Sequence, residues 1–405
     1  MGKVSKKDKI RRNLILRSLF EQGPLSLTDL SKSTGITIPV LKKVLTKIKK
    51  EGFVERIKSV KTNGAGRPPI YFKLSKQGGC ILGIDIGRTF TNYILLDLEK
   101  NIVNERRIKT LNIENPEEFI EEIYNEVLDF LKETNVPLKK LLGVGIAIPG
   151  VVRTKEGISE TYLKFKNKTV REAFQEKFNK PIQIEHDAKA MALGELWFGK
   201  AKGLKNVLCL NLGWGIGLGI IIDGKIYYGN DGFSGEFGHI QVVPEGDVCY
   251  CGKYGCLETV ASGRAITEIA KKKVLEGKQT ILTQKPDFKI EDVDAIKIIE
   301  AANQGDQFSL EILEEAGDYI GSGIAYLINL FNPEKIIFGG GITLASKFII
   351  DSIISTAMKK SLTHINKSLT FEISDLGFRA GAIGVAMLAV KDLFEVEHLQ
   401  PIKFV

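Results

Sequence analysis

Apolar positions recur at helical spacing through the first fifty residues. Leu14, Ile15 and Leu19 share one face of residues 10–20 and predict a helix, which Gly23-Pro24 ends. Residues 27–33 predict a second, short helix, and Thr34-Gly35-Ile36 a tight turn. A third helix is predicted over about residues 37–50, with Thr37 suited to its N-cap and Pro39 to its first turn. Its apolar stripe is Val40, Leu41, Val44, Leu45 and Ile48, and its other face carries Lys42, Lys43, Lys47 and Lys50. Residues 53–60 and 69–74 read as two strands, joined by a polar, glycine-containing stretch at 61–68. The sum is a winged helix-turn-helix: the third helix enters the major groove, and Arg67 of the wing reaches a minor groove.

Beyond residue 76 the period changes. Residues 81–98 read strand, tight turn, strand, and residues 207–222 repeat the scheme. A third strand follows each, near 102–108 and 225–228. After the first set come a helix at 116–134 and a strand at 142–148. This repeat predicts two related α/β lobes facing a cleft. The expected division is a DNA-binding domain at 1–76, a first lobe at 77–190 plus about 380–405, and a second lobe at 191–379. The long helix at 306–331 is expected to carry movement between them. The apolar run at 207–222 is interrupted by Asn211 and glycines, so it is not a membrane span. With a polar, basic start at Met1 to Arg12, no signal peptide is read, and a cytoplasmic protein without a membrane partner is expected.

Charge sharpens the division. The chain has 405 residues and a net charge of +8. Residues 1–76 hold 19 Lys and Arg against 5 Asp and Glu, a net +14, which leaves −6 for the rest. The excess sits entirely on the helix-turn-helix segment and suggests a polyanion partner for it, with a solvated lysine-rich face as the alternative that charge alone does not exclude. Taken with the helix-turn-helix and wing pattern, the partner expected is double-stranded DNA.

Three of the five cysteines, Cys249, Cys251 and Cys256, crowd together ten to seventeen residues after His239. One His and three Cys are the ligand set of a closed structural zinc site, with zone 239–256 as the zinc-binding loop. Cys80 and Cys209 lie in strand-like runs and read as inert core thiols. A ring nitrogen of His239 left over from zinc would be held in one tautomer, free to bond a hydroxyl. With Glu236, Glu258, His186 and Asp187 it forms a set suited to a polyol. Asp187 stands just before an Ala-rich helix at 188–198, where it suits an N-cap and a general base for a hydroxyl proton, two roles that do not exclude each other. The turns holding Gly87 and Thr89, then Gly213 and Gly215, have the backbone freedom to cradle phosphate. Asp85 is placed to orient water on Mg²⁺, and Gly339, Gly340 and Gly341 to lie under a nucleotide base.

These residues resemble the ROK family (repressor, open reading frame, kinase). The resemblance rests on Asp85-Ile-Gly-Arg-Thr89, on 143–150, on Gly235-Glu-Phe-Gly-His239, on the Cys249-to-Glu258 block and on Gly339-Gly-Gly341. It covers nearly all of 77–405, and the Gly-Arg-Pro wing is similar to that of the family's repressor branch. It implies an α/β, actin-like (ribonuclease H-like) two-lobed sugar kinase fold behind the winged helix-turn-helix. It also implies sugar contacts from Glu236, His239 and Glu258, zinc on His239 and the three cysteines, and Asp187 as catalytic base in a kinase. A homodimer or homotetramer is implied too. Three positions depart from the family's kinases: Arg88 in the first phosphate turn, Trp214 in the second, and His186 before Asp187. The function expected is a repressor that binds operator DNA, contacted by Thr37, Lys42, Lys43, Lys47 and Arg67, and is released by a monosaccharide. The alternatives are an ATP- and Mg²⁺-dependent hexose kinase with an added DNA-binding domain, and a DNA-binding protein whose body is only an oligomerisation scaffold.

Overall fold

The structure, a computed structural model, describes residues 6–58, 70–111, 115–284, 287–343 and 347–394. Helices α1 (Lys6–Gln22), α2 (Leu27–Thr34) and α3 (Ile38–Lys50) open the chain. Strands β1 (Leu25–Ser26), β2 (Val54–Lys58) and β3 (Ile70–Leu74) form an antiparallel sheet in the order β1-β3-β2. At Ser26 a reciprocal capping box starts α2: Asp29 N–H donates to the Ser26 hydroxyl, and Ser26 N–H donates to the Asp29 carboxylate. Gly35, at φ +68°, ends it. Helix α3 buries Leu41, Leu45 and Ile48, with Val40 and Val44 half-buried, and exposes Lys42, Lys43, Lys47, Lys49 and Lys50. Thr37 precedes α3, but its hydroxyl makes no capping bond. The expected wing at 61–68, with Arg67, lies outside the described residues.

The first body sheet contains β4 (Cys80–Ile86), β5 (Phe90–Asp97) and β6 (Ile102–Lys109), an antiparallel meander. After α4 (Pro116–Glu133), β7 (Leu141–Ile148) returns parallel to β4. A small ribbon, β8 (Val152–Arg153) with β9 (Ile158–Ser159), and α5 (Val170–Phe178) lead to β10 (Ile182–His186), parallel to β7. Helix α6 (Asp187–Phe198) follows directly. The second sheet repeats this plan: β11 (Val207–Leu212), β12 (Ile216–Ile222) and β13 (Lys225–Ile226) are antiparallel. Helices α7 (Leu257–Ala261), α8 (Gly263–Leu275), α9 (Ala295–Asn303) and α10 (Gln307–Phe331) lead to β14 (Lys335–Gly339), parallel to β11. Then α11 (Lys347–Lys360) and α12 (Thr363–Asn366) precede β15 (Thr370–Ile373), and α13 (Ala380–Leu393) closes the fold. The orders β10-β7-β4-β5-β6 and β15-β14-β11-β12-β13 are one topology used twice. That is the expected actin-like, ribonuclease H-like pair of lobes.

Each lobe has its own core. Leu82, Ile84, Phe119, Phe130, Ile146 and Phe174 belong to the first, and Leu210, Leu218, Ile266, Ile320, Phe338 and Ile353 to the second. Helix α10 stays within the second lobe, against α11, where Asp318 accepts from Ser352 and Thr356. The DNA-binding domain instead shares an apolar cluster with the first lobe: Ile15, Leu16, Leu19 and Phe20 of α1 meet Leu96, Leu98, Ile383, Met387, Val390 and Phe394. Lys73 reinforces the joint with an ion pair to Glu99 at 3.1 Å.

Helix α6 occupies the seam between the lobes. A Cβ added at Gly194 would strike the Ala380 carbonyl of α13, and one at Gly384 the Ala190 carbonyl of α6. On the other side, a Cβ at Gly217 of β12 would lie 2.6 Å from the Ala188 methyl. Glycine is thus required on both sides for backbones to touch. The expected division at residue 190 falls inside this helix. Among the described residues, no helix is long and apolar enough to cross a membrane.

Candidate functional site

The site forms where β10 runs into α6. His186 stands at the N-cap position, and Asp187 is the first helical residue, its carboxylate accepting from the Ala188 N–H at 2.7 Å. His186 Nε2 lies 3.4 Å from Asp187 Oδ1, while the buried Nδ1 of His186 has no hydrogen-bond partner among the described residues. Asn211, at the end of β11, points its amide at the other Asp187 oxygen, 3.5 Å away. Below them Glu185 is fully buried, accepting from the His186 N–H and from the Tyr228 hydroxyl, both at 2.8 Å. Burial raises the pKa of Glu185, and it lowers that of the buried Lys189, whose ammonium is supported by Glu185, Glu236 and Asp187.

The second lobe brings Glu236, His239 and Glu258 to the same place. His239 Nε2 lies 3.9 Å from Glu236 Oε2. Glu258 is buried and accepts from the Ile216 N–H at 3.4 Å, beside Gly215 and Gly238. Burial raises its pKa, His239 and Arg264 oppose that, and Asp187 adds to it, so charge is felt across the cleft. Asp85 is half-buried at the inner end of β4; burial, then the Asp187 charge, push its pKa up to about 7, against Asn92 and Arg107.

Four donor atoms, from His239, Cys249, Cys251 and Cys256, all lie within 4.8 Å of one another. The pairs Cys251 Sγ–Cys256 Sγ and Cys249 Sγ–His239 Nδ1 are both 3.6 Å apart. A tetrahedron with zinc–sulfur bonds near 2.3 Å has edges of about 3.8 Å, so the group fits a structural zinc. Nδ1 faces that cluster, which turns Nε2 towards Glu236. Nε2 is already engaged by the Tyr250 hydroxyl at 3.1 Å, and the Arg264 guanidinium lies 5.9 Å from the Tyr250 ring. The motif reading missed Tyr250, Arg264 and Lys189.

The phosphate turns are less open. Gly87 N–H donates to Phe90 O and Gly213 N–H to Gly215 O, both at 3.0 Å, so two amides suited to phosphate are used inside their turns. Arg88 stacks over Tyr162 at 4.8 Å, and the Trp214 side chain is exposed. Thr89 is exposed at the first turn, and Gly340, at φ +90°, turns the chain out of β14 beside an uncrowded Gly341. Thr37, Lys42, Lys43 and Lys47 are all exposed along α3. Cys80 and Cys209 are buried, and burial pushes the Cys80 thiol up to about 11.

An exposed lysine-bearing helix, docked on a two-lobed body with carboxylates and histidines gathered where the lobes meet, defines a DNA-binding protein built on a sugar-kinase fold. The ROK family model matches residues 81–392, and the MarR family model matches residues 11–61, over the helix-turn-helix. The chain belongs to the ROK family. It is 30% identical over 395 residues to a xylose repressor of Caldicellulosiruptor bescii, covering 97% of this chain and 98% of that one. The solved structure of a ROK family transcriptional regulator, a homologue of the E. coli Mlc protein, superposes with a TM-score of 0.77 at 27% identity, covering 96% of this chain and 97% of that one. A ROK glucokinase from Streptomyces griseus, in complex with glucose and AMPPNP, superposes with a TM-score of 0.67 at 30% identity, covering 77% of this chain and 99% of that one. Full-length agreement, helix-turn-helix included, places the chain in the repressor branch.

Proposed function

We propose that the chain is a sugar-responsive transcriptional repressor. It holds operator DNA through α3 and Arg67, and lets go when a monosaccharide enters the cleft. The observation that carries this reading is the joint presence, on one chain whose two parts share an apolar cluster, of the lysine face of α3 and the cluster Asp187, Glu236, His239 and Glu258. Lys42, Lys43 and Lys47 meet phosphates, and Thr37 stands at the base-reading end of the helix. His186, with its unpartnered Nδ1, reads a further sugar hydroxyl. Zinc on His239, Cys249, Cys251 and Cys256 fixes the second-lobe side of the pocket.

The repressor works in the cytoplasm as a homodimer or homotetramer, and exposed Tyr326, Leu330, Met358 and Leu362 of the second lobe offer a face for a second copy. Operator duplexes can be selected from a random library and titrated at constant salt with D-xylose, D-glucose and N-acetyl-D-glucosamine. At least one sugar should weaken operator binding, and operator should weaken that sugar's binding by the same factor. If no monosaccharide changes operator affinity, the reading fails.

Kinase activity is the second reading, favoured by Asp187 at the strand–helix junction, with ATP and Mg²⁺ held by Asp85, Gly87, Thr89, Gly213, Gly215 and Gly339 to Gly341. Arg88, Trp214 and the two engaged amides weigh against it. Sugar-dependent ADP release that Asp187→Asn abolishes would establish it.

A further inference from the structure

We propose that Trp197 is a positioning residue for operator binding, fixing the DNA-binding domain to the end of the very helix whose start faces the sugar. This rests on the repressor reading above. Helix α6 begins at Asp187 in the cleft and ends at Phe198. Ten residues separate Asp187 from Trp197, about 15 Å of helix. At the far end the Trp197 ring lies 5.9 Å from the Phe20 ring of α1, and Phe20 in turn lies 6.1 Å from Phe394, just beyond α13. The Lys100 ammonium sits over both Phe20 and Trp197, at 4.6 and 5.1 Å from their centroids. Glu21 of α1 faces Lys100 and is paired with Arg17 at 2.8 Å. The joint is therefore an aromatic and cationic plug set into a continuous apolar cluster, not a flexible tether.

The shaft leading to that plug has no slack. Glycines oppose α6 on its α13 side, at Gly384, and on its β12 side, at Gly217 and Gly219, each too close to tolerate a methyl. Glu195, fully buried near the end of α6, accepts from the Lys200 N–H at 2.9 Å and from the Ser374 hydroxyl at 2.5 Å, tying the helix to the second lobe. Close-packed contacts of this kind pass on a displacement instead of absorbing it. A change in lobe angle around a bound sugar must therefore move Trp197, and α1 with it. The α6–Trp197–Phe20 line replaces the long α10 as the route from pocket to DNA.

The test measures operator affinity of the full chain with and without the effective sugar, for wild type, Trp197→Ala and Lys100→Met. Sugar affinity is measured separately by calorimetry. Wild type should show a sugar-induced loss of operator affinity of roughly 5- to 150-fold. Trp197→Ala should shrink that factor to about twofold or less while sugar affinity stays within about threefold, a pattern that general destabilisation does not produce. Lys100→Met, which keeps the apolar stem, should lie between the two and serves if Trp197→Ala does not fold. A wild-type factor preserved in both variants overturns the proposal, as does loss of sugar binding in step with the lost response. If the wild type itself fails to respond to any sugar, the repressor reading has failed, and the joint has nothing to transmit.

Discussion

Asp85 gives a direct test of the electrostatics of the cleft. Its carboxyl is raised from 3.8 to about 7, first by burial and then by the charge of Asp187. Between those two values the folded protein holds a proton that the unfolded chain has released. Stability therefore falls as pH rises through that window, and the cost is complete above the folded value. Moving the carboxyl from 3.8 to about 7, at about 1.36 kcal/mol per pH unit, sets a ceiling of about 4 kcal/mol. Asp85 keeps partial contact with solvent, so about half of that, ~2 kcal/mol, is the working figure. Asp85→Asn keeps the shape of the side chain and removes the titration. Its expected effect is to stabilise the protein by about 2 kcal/mol at pH 8 and to leave it unchanged near pH 4. Urea unfolding at pH 4.5, 6 and 8, followed by tryptophan fluorescence, measures this. A variant difference that does not change with pH, or a less stable variant at pH 8, would refute the reasoning.

Three further outcomes follow from the geometry. Cys251→Ser should lose bound zinc by mass spectrometry and weaken sugar binding at least about tenfold, because His239 loses its anchor; sugar affinity kept without metal would contradict that role. Gly384→Ala forces a methyl against the Ala190 carbonyl and should cost about 1–3 kcal/mol or more, whereas Gly213→Ala, with open space at its Cβ position, should cost under about 1 kcal/mol; equal losses by thermal unfolding would refute the close-packed seam. Tyr250→Phe removes the hydroxyl that engages His239 Nε2, so the sugar no longer competes for that nitrogen and should bind about 2- to 10-fold tighter by calorimetry; weaker binding would mean that the phenol itself holds the sugar.

Much of the architecture was legible because it is written locally. The three N-terminal helices follow from 3.6-residue spacing, and Gly35 stops the second where a left-handed residue is needed. The strand-turn-strand repeat at 81–98 and 207–222 correctly announced two sheets of one topology. The His239–Cys256 block is a short stretch whose ligand types name its chemistry. What could not be read is long-range. Phe20, Trp197 and Phe394 meet across most of the chain, and no spacing rule links them. Lys189 lies two residues from Asp187, yet only the fold reveals it as a buried lysine among carboxylates, its pKa lowered by burial. The two-residue strand β1 is too short to show a period, and Tyr250 reads as a spacer between cysteines until its hydroxyl is seen on His239.

The exposed lysines of α3 bear on where such a protein spends its time. In the proposed repressor, Lys42, Lys43, Lys47 and Lys50 would attract the sugar-phosphate backbone of any duplex, whatever its sequence. That attraction would depend on the charge of the helix and not on what occupies the cleft. A sugar that turned the DNA-binding domains of the proposed oligomer out of register would remove the surplus reserved for one site, but not the background grip. Induction would then redistribute the protein along the chromosome, from one address to very many, and leave little of it free in solution.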